Sequence, residues 1–178
     1  MSNFDEEKAV GQLAELVALE CGIGSAEAKL IRTAAVLHDV GKQKIPAEII
    51  NKPGKLTKQE FEIIKTHTTL GAEMLKSIQG DLGVMARNIC LYHHETYSGN
   101  GYWGKLADEV PFYVPLVTIS DIFAALICVR PYKDAWPSED ALAYIQKKSG
   151  TIFDPKLVEI FLPLVREDSR VRDILSGR

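Results

Sequence analysis

Residues 115–128 read PLVTISDIFAALIC, an almost wholly apolar stretch interrupted by a single carboxylate, Asp121. The stretch is too short to span a membrane, and its continuous apolar pattern predicts a central core helix. An ionised carboxylate inside a buried helix destabilises the fold unless it is paired or bound to a metal. Asp121 is therefore a candidate metal ligand, with a helix-surface position or a buried ion pair as the alternatives.

Helical patterns flank this stretch. Residues 5–21 carry apolar side chains at helical spacing, and a second predicted helix has His38 and Asp39 on its last turn. Thr57 and Glu60 form a capping box at the start of another helix. The sequence contains no strong strand pattern, so the predicted class is all-α.

The length of 178 residues fits one domain, and no linker rich in Pro, Gly or Ser divides the chain. We expect a single compact bundle of about seven helices over residues 1–178. Its core would span about residues 5–165, and residues 166–178 would form a charged, partly frayed tail.

Composition argues against several classes of function. The net charge is −3, and acidic and basic residues are mixed along the chain, which argues against binding to a DNA or RNA polymer. No apolar run reaches the length of a membrane span, and the acidic N-terminal segment lacks an apolar signal region. Cys21, Cys90 and Cys128 form no CxxC motif and are typical of buried thiols in a reducing compartment. We therefore expect a cytoplasmic protein without membrane contact.

All four histidines can be placed in one metal site. His38 is followed directly by Asp39, His67 stands alone, and His93 and His94 are adjacent. Neutral imidazole and carboxylate are the ligand set of Zn, Mn and Fe. Taken singly, each histidine would more often be structural. The ordered set, followed by the late carboxylate, predicts a metal-dependent hydrolase.

The adjacent pair His93 and His94 limits how metals can be held. Neighbouring residues of a helix point about 100° apart, so both cannot easily bind one ion from the middle of a helix. Two ions, or the end of a helix, would resolve this. Asp39 could bridge two ions, which an imidazole cannot. Lys42 would hold a phosphate oxygen near the metals, with an ordinary surface lysine as the alternative.

In this order the residues resemble the HD-GYP branch of the HD superfamily of phosphohydrolases. HDVGK at 38–42 resembles the HDxGK core, and HTTLG at 67–71 resembles HxxxG. HHE at 93–95 with GNGY at 99–102 resembles the HHE…DGxGYP segment. The resemblance covers about residues 5–165 and implies an HD-type helical bundle.

The resemblance also implies a function. It implies a metal-dependent phosphodiesterase that hydrolyses a cyclic dinucleotide, first of all cyclic di-GMP, by attack of metal-bound hydroxide on phosphorus. It implies two divalent ions, or three, with Fe or Mn as the metal. A sensor, a receiver or a GGDEF-type protein on another chain would supply regulation. The implied site residues are the metal ligands His38, Asp39, His67, His93, His94 and Asp121, the catalytic Asp39 and Lys42, and the substrate contacts Tyr102, Arg130 and Lys133.

Four positions depart from the family's pattern. Glu6 aligns with a first-helix histidine, and it either ligates a metal or leaves that position empty. Ser98 replaces the aspartate of DG, and Trp103 replaces the proline of GYP. Ala124 stands where a second aspartate would hold a guanine, so weaker guanine discrimination is expected. The alternative function is a weak or inactive module that binds a cyclic dinucleotide or a signalling protein. A plain HD phosphohydrolase for nucleotide monophosphates is a third hypothesis, against which the GYP-like loop argues.

Overall fold

The computed structural model describes residues 5–128 and 135–176, and over these ranges the regular structure is helical. The β-type contact in this part of the chain is an isolated bridge between Ser149 and Phe153. The all-α prediction is confirmed, although the helices outnumber the expected seven because several are short. In chain order they are α1 (Glu6–Glu20), α2 (Ser25–Ala35), α3 (Ala47–Ile50), α4 (Lys58–Lys65), α5 (His67–Met74), α6 (Gly80–Tyr92), α7 (Tyr113–Ile127), α8 (Ser138–Lys147), α9 (Pro155–Glu167) and α10 (Ser169–Leu175).

Helix α7 is the central core helix that the apolar stretch predicts. Its side chains Val117, Ile119 and Phe123 are fully buried. Phe123 meets Phe161 of α9 edge to face, with ring centroids 5.4 Å apart. Helix α1 packs against both α2 and α7. The core therefore forms around α7, which brings the carboxylate of Asp121 close to the ends of the neighbouring helices.

The capping signal predicted at the start of α4 is confirmed. Thr57 accepts from the backbone of Glu60, whose side chain accepts from the backbone of Thr57, so the capping box is complete.

Cys90 is buried as predicted, but the prediction is wrong for Cys21, which is exposed at the end of α1. No helix in the described ranges is long and apolar enough to cross a membrane.

The predicted frayed tail is wrong for residues 169–175, which form α10. The side chain of Asp168 accepts from the backbone N–H of Arg170 at 2.8 Å and caps this helix. Val171 and Ile174 are buried, and α10 packs against α1 and α9. Apolar periodicity does not predict this helix, because charged residues separate its few apolar positions. A short helix of this kind is stabilised mainly by its packing.

The segment that carries His38 and Asp39 also differs from the prediction. Helix α2 ends at Ala35, so both residues lie in the turn before a 3-10 segment at Val40–Lys44. A Cβ atom on Gly41 would lie 1.9 Å from the carbonyl oxygen of His67. The turn thus packs backbone against backbone on α5, an approach that only glycine permits.

We expect Gly41→Ala to destabilise the protein by at least roughly 1–3 kcal/mol, the usual effect of overpacking, because the neighbour is backbone and cannot rotate away. The free energy of unfolding from denaturant titration measures this. Gly24→Ala is the matched control, because a Cβ there meets nothing within 4 Å and the φ angle is −60°. Equal stabilities for the two variants would contradict the close approach at Gly41.

Candidate metal centre

Histidine and carboxylate side chains converge around Asp39. Its Oδ1 lies 3.2 Å from Nε2 of His67 and 3.7 Å from Nε2 of His93. Its Oδ2 lies 3.3 Å from Nε2 of His38, and the same nitrogen lies 3.6 Å from Oδ1 of Asp121. The two oxygens of one carboxylate therefore face two different groups of side chains. A carboxylate that bridges two cations has this arrangement.

Backbone carbonyls fix the orientation of three imidazoles. In His38, His67 and His93, Nδ1 lies 2.6–3.1 Å from a carbonyl oxygen three or four residues earlier in the chain. A carbonyl oxygen only accepts, so each Nδ1 donates a hydrogen bond. A ring that is neutral then presents the lone pair of Nε2 toward Asp39. Hydrogen bonding of the outer nitrogen in this way is typical of metal-ligating histidines.

The end of α6 resolves the problem of the adjacent histidines. The helix ends at Tyr92, His93 is its C-cap residue, and His94 follows outside the helix. The hydroxyl of Thr118 on α7 lies 2.9 Å from the carbonyl oxygen of His93 and ties the two helices together. The sequence left two ions or a helix end as explanations for the adjacent pair. The structure places the pair at a helix end, and both imidazoles contribute to the same cluster.

Four of these residues bring one potential ligand atom each to within 4.8 Å of all the others. They are Asp39, His67, His93 and His94. Glu6, the first residue of α1, is not in this group within the described part of the chain. Its role as a ligand stays a prediction.

The donor set fits a divalent metal ion. Oδ1 of Asp39 is buried and has no hydrogen-bond partner. A buried acceptor without a partner costs roughly 1–3 kcal/mol, and more if it is charged. A cation between this oxygen and the Nε2 atoms of His67 and His93 would remove that cost. Nitrogen and oxygen donors together suit Zn, Mn or Fe.

The same contacts set the protonation of the metal-free cluster. Although burial opposes it, contacts with Asp121 and Asp39 raise the pKa of His38 to about 10. Burial lowers the pKa of His94 to about 4, and it lowers that of His93 well below the ordinary value. Although burial opposes it, the contact with His38 lowers the pKa of Asp121 to about 2. In metal-free protein at neutral pH, His38 is a cation between two carboxylates.

Metal-free protein should therefore be most stable near pH 6.5. The raised pKa of His38 adds to the free energy of unfolding. This stabilisation is complete below the unfolded pKa of about 6.5 and is lost as the pH rises through 10. The pKa values of His93 and His94 are lowered in the folded chain. Below about pH 6.5 the unfolded chain therefore binds more protons than the folded chain, and the stability falls as the pH decreases. Thermal melts of chelated protein from pH 4 to pH 10 measure both limbs. Chelated His38→Gln protein is the control, and its melting temperature should fall much less above pH 6.5. A wild-type melting temperature that stays constant above pH 6.5 would contradict the role of His38.

Lys42 and Tyr102 both lie beside the cluster. The ammonium group of Lys42 donates to Oδ2 of Asp39, and its side chain is 41% exposed. The ring of Tyr102 stacks on His94 with centroids 4.3 Å apart. Burial and the nearby carboxylates raise the pKa of Tyr102 to about 12, so it stays a phenol that donates a hydrogen bond at neutral pH.

Two predicted substrate contacts, Arg130 and Lys133, lie outside the described residues. Ala124 is fully buried in the apolar core, where an aspartate would lose its hydration. Ala124 does not line the cavity beside the cluster, and the weaker guanine discrimination stays a prediction.

A cavity of about 340 Å³ opens onto this cluster. Its walls come from α4, the end of α6, the following loop and α7. A larger, more apolar cavity of about 440 Å³ lies on the other side of Glu95 and has no histidine in its wall. We expect a substrate to enter the smaller cavity, because His93 and His94 of the cluster line it. The smaller cavity is lined by residues that include Phe61, Lys65, His93, His94, Asn100 and Tyr102.

Glu95 holds the loop that carries Tyr102, a role that the sequence did not reveal. It is 5% exposed, and its two carboxylate oxygens accept from the backbone N–H groups of Trp103 and Lys105, both at 2.7 Å. A Cβ atom on Gly101 would lie 2.5 Å from Cα of Glu95, so the loop wraps closely around this residue. The sequence shows a carboxylate directly after the histidine pair. It does not show the partners of this carboxylate, because they are backbone N–H groups.

Comparison with known proteins places this site in a family. The model of one family, described as HD domain, matches residues 3–157. The chain belongs to the HD domain family. The predicted HD-type fold is thereby confirmed.

Curated relatives of this HD domain confirm the resemblance to the HD-GYP branch. The cyclic di-GMP phosphodiesterase response regulator RpfG of Xanthomonas campestris is 40% identical over 154 residues, covering 86% of this chain and 41% of that protein. A cyclic di-GMP phosphodiesterase of Thermotoga maritima is 39% identical over 168 residues, covering 94% and 46%. The chain thus spans less than half the length of these relatives. Bd1817 of Bdellovibrio bacteriovorus, described as an HDG"Y"P protein, shares the fold, with a TM-score of 0.73 at 18% identity over 90% of this chain and 51% of that one.

Proposed function

We propose that this HD domain is a metal-dependent phosphodiesterase that hydrolyses a cyclic dinucleotide, with cyclic di-GMP as the first substrate to test. One observation carries the proposal: the oxygens of Asp39 face two sets of ligand atoms, and one of them is buried without a hydrogen-bond partner. The names of the relatives support the substrate class.

We propose two divalent ions, Fe or Mn, and a third if Glu6 also ligates. Bound here, they would act as Lewis acids toward a phosphodiester and lower the pKa of the attacking water. Asp39 would be shared between the two groups of ligands. The proposed ligands are His38, Asp39 and Asp121 on one side, and Asp39, His67, His93 and His94 on the other.

The protein's own groups would orient the substrate and the ligands. The Nδ1–carbonyl hydrogen bonds keep the imidazoles turned inward, so little reorganisation is needed at each turnover. The ammonium group of Lys42, at the rim of the site, would donate to a phosphate oxygen. Tyr102 would donate from its phenol to another. Arg130 and Lys133 would contact the dinucleotide, as the family resemblance implies.

We also propose that regulation comes from a sensor, a receiver or a GGDEF-type protein. The support is that the relatives are longer than this chain and that RpfG is named a response regulator. The cytoplasmic location likewise stays a prediction.

The test is a hydrolysis panel with protein purified without oxygen and loaded with Fe(II) or Mn(II). Cyclic di-GMP, 3′3′-cGAMP and cyclic di-AMP are incubated separately, and the products are separated by chromatography. We expect hydrolysis of at least one to a linear dinucleotide or a mononucleotide, lost on chelation and restored by the metal. Binding of a cyclic dinucleotide by calorimetry without hydrolysis would favour the alternative, an inactive binding module.

A further inference from the structure

Phe61, Lys65 and Tyr102 line the cavity that leads to the metal cluster, and Trp103 adjoins them through Lys65. Trp103 is 44% exposed and Phe61 is 42% exposed. The ring of Phe61 meets that of Tyr102 edge to face, with centroids 5.7 Å apart. The ammonium nitrogen of Lys65 lies 5.4 Å from the ring centroid of Trp103 and 5.7 Å from that of Tyr102. Tyr102 in turn stacks on His94, so this group adjoins the proposed metal site.

The exposed indole of Trp103 is carried by a fixed segment. Its backbone N–H donates at 2.7 Å to the buried carboxylate of Glu95, and the same carboxylate accepts from Lys105. Hydrogen bonds to a charged, buried acceptor are among the stronger ones in proteins. The loop therefore presents a large apolar ring to solvent from a backbone that is already ordered, which lowers the entropic cost of binding a flat ligand.

The charge beside the rings indicates what kind of ligand would bind. Lys65 is held next to the indole with its side chain only 17% exposed, and it pairs with an exposed carboxylate, Glu62, at 3.3 Å. A nucleotide is both flat and anionic, and aromatic stacking with a nearby cation is how proteins bind exposed bases without reading their sequence.

We propose that Trp103 and Lys65 form a stacking subsite for one purine base of the cyclic dinucleotide, with Tyr102 between this base and the metal cluster. A purine is favoured over a pyrimidine because its larger face covers more of the indole. Trp103 stands where the family's GYP motif has proline, so its indole is not part of that motif. The inference rests on the proposed function.

Steady-state kinetics on metal-loaded Trp103 variants test the subsite. Trp103→Ala should raise KM for the cyclic dinucleotide about 5- to 150-fold, the range that loss of one stacked base gives, while kcat and metal content change little. Trp103→Phe keeps a ring and should recover most of the loss. Lys65→Met should also raise KM, because it keeps the length of the side chain but loses the charge.

Fluorescence gives a second measurement on a fully active protein. The chain has two tryptophans, so Trp136→Phe leaves Trp103 as the sole indole. Rapid mixing of this protein with the dinucleotide should quench the emission before turnover, whereas Trp103→Phe protein should respond much less. The subsite is overturned if wild-type protein hydrolyses the dinucleotide, the dinucleotide leaves the emission of Trp136→Phe protein unchanged, and Trp103→Ala protein has the wild-type KM. If wild-type protein neither binds nor hydrolyses any cyclic dinucleotide, the proposed function itself fails.

Discussion

Asp39→Asn protein should lose most of its bound metal and at least about a hundredfold of its phosphodiesterase activity. Loss of a group that merely supports a ligand already costs about 10- to 100-fold, and Asp39 is proposed as a ligand itself. Asparagine keeps the shape of the side chain but replaces one oxygen with an NH₂ group, which cannot ligate. Whichever way the amide turns, it faces either His38 or the pair His67 and His93 with a donor instead of an acceptor.

Elemental analysis of the folded variant gives the metal content per chain. Asp81→Asn is the matched control, because Asp81 is an exposed carboxylate in the first turn of α6. It should retain both metal and activity. Asp39→Asn protein that folds, melts cooperatively and still carries the wild-type amount of metal would remove Asp39 from the site.

Removing the metal should lower the melting temperature by roughly 5–11 °C. A ligand that binds only the folded state stabilises it by about 2.7 kcal/mol at one hundred times its dissociation constant. In a domain of this length, about 1 kcal/mol corresponds to about 2–4 °C. Asp39 and Asp121 by themselves would repel each other once the metal is gone and would add to this loss. The structure instead places His38 between them, and its raised pKa keeps a compensating charge there.

Thermal melts with and without a chelator measure this shift, and elemental analysis verifies that the metal is gone. Chelated Asp39→Asn protein should melt at the same temperature as the untreated variant, because it has little metal to lose. An unmoved wild-type curve after complete removal of the metal would mean that the centre does not support the fold.

Signals that depend on neighbours in the chain could be interpreted without a structure. The apolar run of α7 predicted a core helix, and the pair Thr57 and Glu60 predicted a helix start, because periodicity and capping act within a few residues. The types and order of the proposed ligands also pointed to a metal site. Local signals do not predict where α2 ends or that α10 forms, because packing against other helices decides both.

The contacts across the cluster were decided by tertiary structure alone. That the two oxygens of Asp39 face different partners follows from the backbone approach of Gly41 to α5, which joins residues far apart in sequence. The same is true of the wrapping of the loop around Glu95 and of the burial of Ala124. The sequence by itself determined the helical class and the chemical types of the site. Which atoms meet depends on long-range packing that leaves no local pattern, and only the folded chain determined it.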